Sequence, residues 1–154
     1  MSEEFRVVIP EERLRIVEFR QDGLPGVAAI NRALAAFEAR EVFRWHLSIM
    51  ITLEDLIENG MPSLAERDVV DEFGDELDRQ LKAPDEKPNS LFLARITWNA
   101  SRELVYRVHD PEDANTLLQR MIKDHEYPRE YDFRMDDDPE WTLADWHLRT
   151  ALGG

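Results

Sequence analysis

The sequence predicts an α+β fold, a ferredoxin-like βαββαβ sheet with an N-terminal hairpin and a C-terminal closing helix. Between Val42 and Met135 the hydrophobic period changes from two to about 3.6 and back, in the order strand, helix, strand, strand, helix, strand. Loops rich in proline and turn-forming residues separate these elements. With 43% apolar residues, 34% charged residues and no cysteine, the composition is typical of a globular chain without disulfides.

The length of 154 residues suits a single domain over residues 1–154. We expect a hairpin over about 13–31, a ferredoxin-like core over about 42–136 and a C-terminal helix over about 139–150. No apolar run approaches the roughly 20 residues that span a bilayer. Met1–Phe5 has neither a basic nor an apolar signal region. These features predict a soluble, cytoplasmic protein of bacterial type with no membrane partner.

The N-terminal hairpin is predicted from two runs that flank a turn at Gln21–Gly23. Arg13–Arg20 alternates polar with apolar residues, and Gly26–Asn31 is largely apolar. Leu34–Phe37 leaves open the alternative that the second arm is helical. We expect the hairpin to extend the sheet at one edge.

The first core strand is predicted at Phe43–Ile51, because apolar and polar residues alternate there. Its buried face is predicted to carry five side chains, Phe43, Trp45, Leu47, Ile49 and Ile51. The first core helix is predicted from about Leu64 to Leu81. Ser63 and Glu66 form an S-x-x-E capping box, which satisfies free N–H groups at a helix start. The core stripe of this helix is predicted to be Val70, Phe73, Leu77 and Leu81.

Two strands follow a proline-containing loop over residues 83–89, and they are predicted at Leu91–Trp98 and Glu103–His109. A second helix is predicted from Pro111 to about Lys123. Its N-cap is Asp110, since an aspartate cap, a proline and acidic residues all favour a helix start.

The last core strand is predicted at Tyr131–Met135, where polar and apolar residues alternate again. Asp138 is predicted to be the N-cap of a closing helix that follows it. The apolar positions of that helix are predicted to be Trp141, Leu143, Trp146 and Leu148.

Alternation predicts a cationic surface on the sheet face that the two core helices leave uncovered. Its members are Arg44, His46, Arg95, Arg107 and Arg134. Side chains two apart on a strand share a face, so a 4-1-3-2 strand order brings all of them except Arg95 close together. Such a surface could bind a carboxylate or a phosphate through bidentate contacts. The alternatives are that nearby carboxylates pair with these side chains, or that the closing helix covers them.

A second candidate surface is acidic and lies on the first core helix. Its members are Asp68, Asp71, Glu72, Asp75 and Glu76. With a net charge of −14, these acids have two interpretations, a solvated face or a contact for a basic partner such as a nuclease. DNA or RNA binding is disfavoured, because phosphate contacts need clustered Lys and Arg and RNA platforms need exposed rings.

Catalytic and metal-binding motifs do not stand out in the sequence. The four histidines, His46, His109, His125 and His147, lack the spacing of a zinc site. Asp136–Asp138 lacks the spaced ligands of a calcium loop, and an acidic helix cap is the simpler interpretation. No serine has a nucleophile-elbow context and no glycine-rich phosphate loop is present. We therefore expect no cofactor and no metal.

Four segments together resemble an uncharacterised bacterial family, the domain of unknown function six-nine-five. They are Phe43–Leu47, Asn59–Pro62, Thr97–Tyr106 and Asp136–Trp141, and the resemblance covers about residues 13–146. This family is similar in fold to the B-type regulators of ribonuclease E activity, acidic proteins that inhibit a ribonuclease by binding it. The resemblance implies a ferredoxin-like domain with a protein-binding role, and it carries over no functional residues. Related sequences commonly have paired aromatics in the second hairpin arm, where Val105–Arg107 has one.

The leading hypothesis is a non-enzymatic protein-binding or regulatory domain, with a nuclease or another enzyme as its target. The alternative is a small-molecule hydrolase or lyase, in which an acid and His46 act on an anionic substrate at the open sheet face. A third possibility is a homodimer joined through open sheet faces, so we expect either a monomer or a homodimer. The packing of residues 139–150 decides whether the cationic surface is free.

Overall fold

A computed structural model describes residues 8–83 and 87–153 of the chain. Within those residues, six strands form one antiparallel sheet and three α-helices pack against it. The strands are β1 (Leu14–Gln21), β2 (Leu24–Asn31), β3 (Trp45–Thr52), β4 (Ser90–Trp98), β5 (Ser101–Val108) and β6 (Tyr131–Asp137). The helices are α1 (Leu64–Leu81), α2 (Pro111–Lys123) and α3 (Asp145–Ala151). The predicted α+β class is confirmed.

Two of the predictions concern membrane-spanning helices and an N-terminal signal region. In the described part of the chain, no helix is both long enough and apolar enough to cross a bilayer. The prediction about a signal region concerns Met1–Phe5, which lies outside the described residues.

The strand order across the sheet is β1-β2-β4-β5-β3-β6. The N-terminal hairpin forms as predicted, and β2 pairs with β4, so the hairpin continues the sheet at one edge. The second arm is a strand, and Leu34 lies in a short 3-10 turn (Arg32–Ala36) after it. The six-stranded sheet as a whole differs from the predicted four-stranded ferredoxin-like arrangement, because these two strands are integral to it.

Helices α1 and α2 begin where local capping predicts. The Ser63 hydroxyl accepts a hydrogen bond from the Glu66 N–H at 3.1 Å, and Asp110 accepts from Glu112 N–H at 2.9 Å. The capping box is incomplete, however, because the Glu66 carboxylate turns inward. It accepts from Arg129 at 2.7 and 2.8 Å and from the Glu54 N–H, and Arg129 lowers the pKa of Glu66 to about 2. The buried cap residue thus joins α1 to the segment before β6.

The sheet face under α1 and α2, here called the helix face, carries the first hydrophobic core. The predicted α1 stripe is buried there, against apolar side chains of β3 and β5. The strand residues in this core include Leu47, Ile49, Ile51, Leu104 and Tyr106. The predicted strand phase is therefore correct for the middle of β3. Phe43 is the exception, because it lies in a 3-10 turn (Arg40–Phe43) and packs in the other core.

The opposite sheet face, here called the C-terminal face, is partly covered by the C-terminal segment. Trp141 and Leu148 pack on Val105 and on residues of β2 and β4 to form a second core. The predicted open face is therefore closed over β2, β4 and part of β5. The closing segment begins with a 3-10 turn (Thr142–Ala144), and α3 starts later than predicted because Trp141 has a left-handed φ of 60°.

Two predicted core positions of the closing segment are exposed. Leu143 is 46% exposed and Trp146 is 43% exposed, whereas Trp141 is 1% exposed. The change from a 3-10 turn to an α-helix alters the side-chain period, so a single helical stripe does not describe this segment.

A β-bulge in β4 determines which face its outer half presents. Phe92 pairs with Tyr106, whereas Ala94 pairs with Val105, so Leu93 is an extra residue in this strand. After the bulge the alternation is inverted, and Arg95 pairs with Leu104 on the helix face.

Candidate functional site

The predicted cationic surface does not form, because its members lie on different faces and at different depths. Arg107 is fully buried and His46 is 8% exposed, both under the C-terminal segment. Arg95 lies on the helix face, and the bulge at Leu93 is the reason. The prediction of one exposed surface is wrong, because the C-terminal segment covers Arg107 and His46 and a bulge that the sequence does not reveal turns Arg95 to the other face.

The two exposed arginines of the predicted surface are neutralised by neighbouring carboxylates. Arg44 forms a bidentate pair with Asp137, at 2.6 and 3.0 Å. Arg134, which is 79% exposed at its side chain, pairs with Asp136 at 2.9 Å. These are exposed pairs at the rim of the C-terminal face, and their contribution to stability is small.

Arg107 is the centre of a buried polar cluster. Its guanidinium donates to the carbonyl oxygens of Phe43, Arg44 and Asp138 at 3.2, 3.0 and 2.6 Å. It also lies 3.0 Å from the Asp138 carboxylate and 3.0 Å from Nδ1 of His46. A guanidinium has five N–H donors, so these five contacts use all of them. The side chain therefore has no donor left for a ligand.

The Trp141 ring covers this cluster. Its ring lies 4.6 Å from the Arg107 guanidinium carbon, and the Arg40 guanidinium stacks on it at 5.1 Å. Its indole N–H donates to the carbonyl oxygens of Arg40 at 2.9 Å and Phe43 at 3.1 Å. Asp138 accepts from the N–H groups of the turn that follows, which fixes Trp141 in place.

Two histidines line the buried cluster in their neutral form. Burial, the Arg107 charge and His147 lower the pKa of His46 to about 4, and burial also lowers the pKa of His147 to about 4. The Arg107 N–H points at Nδ1 of His46, so this nitrogen is the acceptor. Although burial acts to raise it, hydrogen bonds from Leu143 and Arg107 hold the pKa of Asp138 below its usual value. The cluster joins the C-terminal segment to the sheet.

The five acids predicted on α1 divide into paired and unpaired groups. Asp71 forms an ion pair with the buried Arg102, and Glu76 pairs with Arg79 at 2.5 Å. The other three are exposed, and none has an ion pair within the described residues. We call these three, Asp68, Glu72 and Asp75, the acidic row. They are spaced four and three residues apart, so they follow one stripe of the helix.

An exposed apolar loop before α1 was not identified from the sequence. We call residues 53–63 the Leu56 loop. Leu56 is 40% exposed, Ile57 is 61% exposed, and Leu64 in the first turn of α1 is 75% exposed. The available signal was the Asn59–Gly60 turn signature, which marks a tight turn between apolar residues.

A groove on the helix face was also not predicted from the sequence, because its lining depends on the bulge in β4. It lies between α1 and the strands β4 and β5, has a volume of about 150 Å³ and contains both acids and arginines. The charged residues that line it are Glu12, Asp71, Asp75, Asp78, Arg95 and Arg102. We call it the α1 groove.

The family model described as Family of unknown function (DUF695) matches residues 16–146. The chain belongs to this family. No curated protein and no solved structure matches the chain. The DUF695 match includes the acidic row, the Leu56 loop and most of the buried cluster, but it ends one residue before His147.

Proposed function

We propose that this protein is a non-enzymatic binding or regulatory domain that docks on a basic protein partner through the Leu56 loop and α1. The observation that carries the proposal is the exposure of Ile57 and Leu64, at 61% and 75%. Large aliphatic side chains exposed near one another in the chain are typical of interaction sites. The exposed surface of α1 beside them supplies the charge.

The Leu56 loop is held in one conformation, which favours a role in recognition. The Ile57 N–H donates to the Met61 carbonyl at 2.7 Å, and Ser63 N–H donates to the Asp55 carbonyl at 3.0 Å. Gly60 has a φ of +76°, and its carbonyl accepts from the Ala100 N–H at 2.9 Å. A loop that is ordered before binding loses little conformational entropy when a partner binds.

The charge of the partner follows from the acids around these side chains. The acidic row on α1 has no ion pair with any residue that the structure describes, and Asp55 and Glu58 in the loop are also exposed. A basic partner would be attracted over a long range by a protein of net charge −14, and the apolar side chains would then hold it.

The proposal also includes a ferredoxin-like core and a nuclease or another enzyme as the target. The support for the core is the strand order β6-β3-β5-β4, read from the β6 edge of the sheet. If these four strands are numbered one to four along the chain, this order is 4-1-3-2, and α1 and α2 lie on one face of it. The support for the target is the resemblance of the sequence described above, which implies a fold similar to that of the B-type regulators of ribonuclease E activity. Nucleases that bind RNA carry the basic surfaces that the acidic row would complement.

The test is quantitative affinity capture from a native lysate, followed by calorimetric titration with the purified partner. Ile57→Ser should weaken the affinity roughly fivefold or more, because truncating a central apolar anchor costs over about 1 kcal/mol. Leu143→Ser is the matched control, since Leu143 is 46% exposed on the C-terminal segment.

A second pair of variants tests the role of charge in docking. Asp68→Asn should slow association and reduce its salt dependence, whereas Asp132→Asn on β6 should change neither. The proposal is rejected if Ile57→Ser and Asp68→Asn both bind the captured partner as tightly and as fast as the wild type does.

A further inference from the structure

The α1 groove is a small site with an apolar floor. Phe92, Leu104 and Val70 contribute apolar surface between α1 and the sheet. Gly74 of α1 faces this floor, and a Cβ placed on it would lie 3.9 Å from Leu104 Cδ1. The volume of about 150 Å³ is below the roughly 300–1,000 Å³ of sites for nucleotides and drug-sized molecules. The groove therefore suits a ligand of about ten heavy atoms or fewer.

Most charges in the groove are paired within the protein. Arg102 pairs with Asp71 at one end. At the other end Lys82 bridges Asp78 and Glu12, and Asp78 also accepts from the Tyr106 hydroxyl at 2.6 Å. These pairs consume the charges at both ends of the groove.

Among the described residues, one cation and one anion in the middle of the groove have no ion-pair partner. Arg95 is half-buried, and no described carboxylate lies within 4.0 Å of it. It lies near Arg102 and lowers the pKa of that side chain further, after the larger effect of burial. Asp75 is exposed, has no ion pair in the described residues, and is close enough to help raise the pKa of Tyr106, which burial raises most.

The two unpaired groups come from opposite walls. Arg95 stands on β4 beside Leu104, and Asp75 follows Gly74 on α1, directly above the same floor. They do not pair with each other within 4.0 Å, and both line the same groove. An anion alone would meet the acids of α1, and a cation alone would meet Arg95. A zwitterion avoids both conflicts.

We propose that the α1 groove binds a free α-amino acid with an apolar side chain. Its carboxylate pairs with Arg95, its ammonium group pairs with Asp75, and its side chain lies on the floor beside Phe92 and Leu104. Arg95 forms bidentate contacts with a carboxylate well, because its planar donors match the two oxygens. This activity is additional to partner docking, and Arg95 separates the two, because Arg95 is in neither the acidic row nor the Leu56 loop whereas Asp75 belongs to the acidic row.

The first experiment is isothermal titration of the full-length protein with L-leucine at millimolar concentrations. Leucinamide, which lacks the carboxylate, and N-acetyl-leucine, which lacks the ammonium group, are the matched ligands. Both should bind roughly tenfold or more weakly than leucine, since each loses a charged hydrogen bond. Equal binding of N-acetyl-leucine, or no heat from leucine, methionine or phenylalanine, overturns the proposal.

The second experiment changes the protein. Arg95→Gln and Asp75→Asn should each weaken leucine binding roughly tenfold, whereas Arg134→Gln, at the distant β6 rim, should leave it unchanged. Circular dichroism checks that each variant is folded. If Arg95→Gln is folded and binds leucine as the wild type does, the assignment is wrong.

The two proposals fail independently. Ile57→Ser should leave leucine binding intact, and Arg95→Gln should leave capture of the protein partner intact. Loss of leucine binding in Ile57→Ser, in a folded protein, would also contradict a separate small-molecule site.

Discussion

Arg107 has a structural role, because its five N–H donors contact acceptors within the protein and the Trp141 ring lies over its guanidinium. Alternation gives the correct face for Arg107, because β5 is regular. It gives no information about Trp141, which comes from a distant part of the chain and closes over the guanidinium. Burial of a single side chain by a remote segment is a tertiary effect. The hydrophobic period and the secondary-structure propensity of β5 therefore do not predict it.

Replacing Arg107 should strongly destabilise the protein. Arg107→Met leaves the Asp138 carboxylate and several carbonyl oxygens without their donor, and removing one partner of a buried ion pair costs about 3–5 kcal/mol. Urea unfolding measures the change. Arg134→Met removes an exposed pair and should cost at most about 1 kcal/mol, so similar losses in both variants would contradict the assigned role of Arg107.

The buried histidines should make stability depend on pH. Their folded pKa values, about 4, lie below the ordinary value of 6.5, so the unfolded chain binds protons first. Stability should be fully present above pH 6.5 and fall as the pH decreases toward 4. Each histidine contributes on the order of 3 kcal/mol to this loss.

Urea midpoints measured across that range check the prediction, with His147→Leu as the informative variant. Within the described part of the chain, Nδ1 of His147 has no hydrogen-bond partner, so an apolar replacement loses little. The stability of His147→Leu should fall less steeply between pH 6.5 and 4. An unchanged slope would mean that His147 does not remain neutral in the folded protein.

At the scale of elements, local signals predict the helices well and the sheet less well. The ends of α1 and α2 coincide with the prediction, since capping residues and a 3.6-residue stripe lie within each segment. The bulge at Leu93 has no such signal, because Ser90–Trp98 is apolar enough to suit either phase. The candidate site depended on that phase, so its prediction failed where the fold class was correct.

Two glycines of neighbouring elements should respond in opposite ways to the same substitution. Gly74 is in α1, where a Cβ meets Leu104 at an ordinary 3.9 Å, so Gly74→Ala should stabilise the protein by about 0.5–1 kcal/mol. Gly60 has a φ of +76°, and its Cβ would lie 3.0 Å from the Ala100 nitrogen. Gly60→Ala should destabilise by about 1–2 kcal/mol.

Thermal denaturation of both variants provides the measurement. The expected order of melting temperatures is Gly74→Ala, wild type, Gly60→Ala. A lower melting temperature for Gly74→Ala would show that α1 packs more tightly on the sheet than this structure indicates.

At the scale of the whole molecule, two hydrophobic cores on opposite faces of the sheet stabilise the protein. The first core is built by α1 and α2, and the second depends on the short C-terminal segment. Because α3 has only seven residues, Trp141 and the Arg107 cluster must hold that segment in place. The sequence predicts a closing helix but not the face that it closes.

Trp141 should therefore matter far more than another tryptophan of the same segment. Trp141→Ala opens the second core and removes two cation–π contacts, and should cost about 3–5 kcal/mol. Trp146→Ala, at a position 43% exposed, should cost about 1 kcal/mol or less. Guanidinium chloride titrations compare the two, and equal costs would mean that the segment is not anchored through Trp141.

The extra residue in β4 has an evolutionary consequence. Deleting Leu93 would restore a regular ladder, because Phe92 already pairs with Tyr106 and Ala94 with Val105, and Arg95 would stay opposite Leu104. Relatives with and without this residue would therefore present the same side chains toward the α1 groove. A one-residue gap at this point of an alignment would mark a missing bulge, whereas an unpaired deletion elsewhere in β4 would exchange the two faces of the strand.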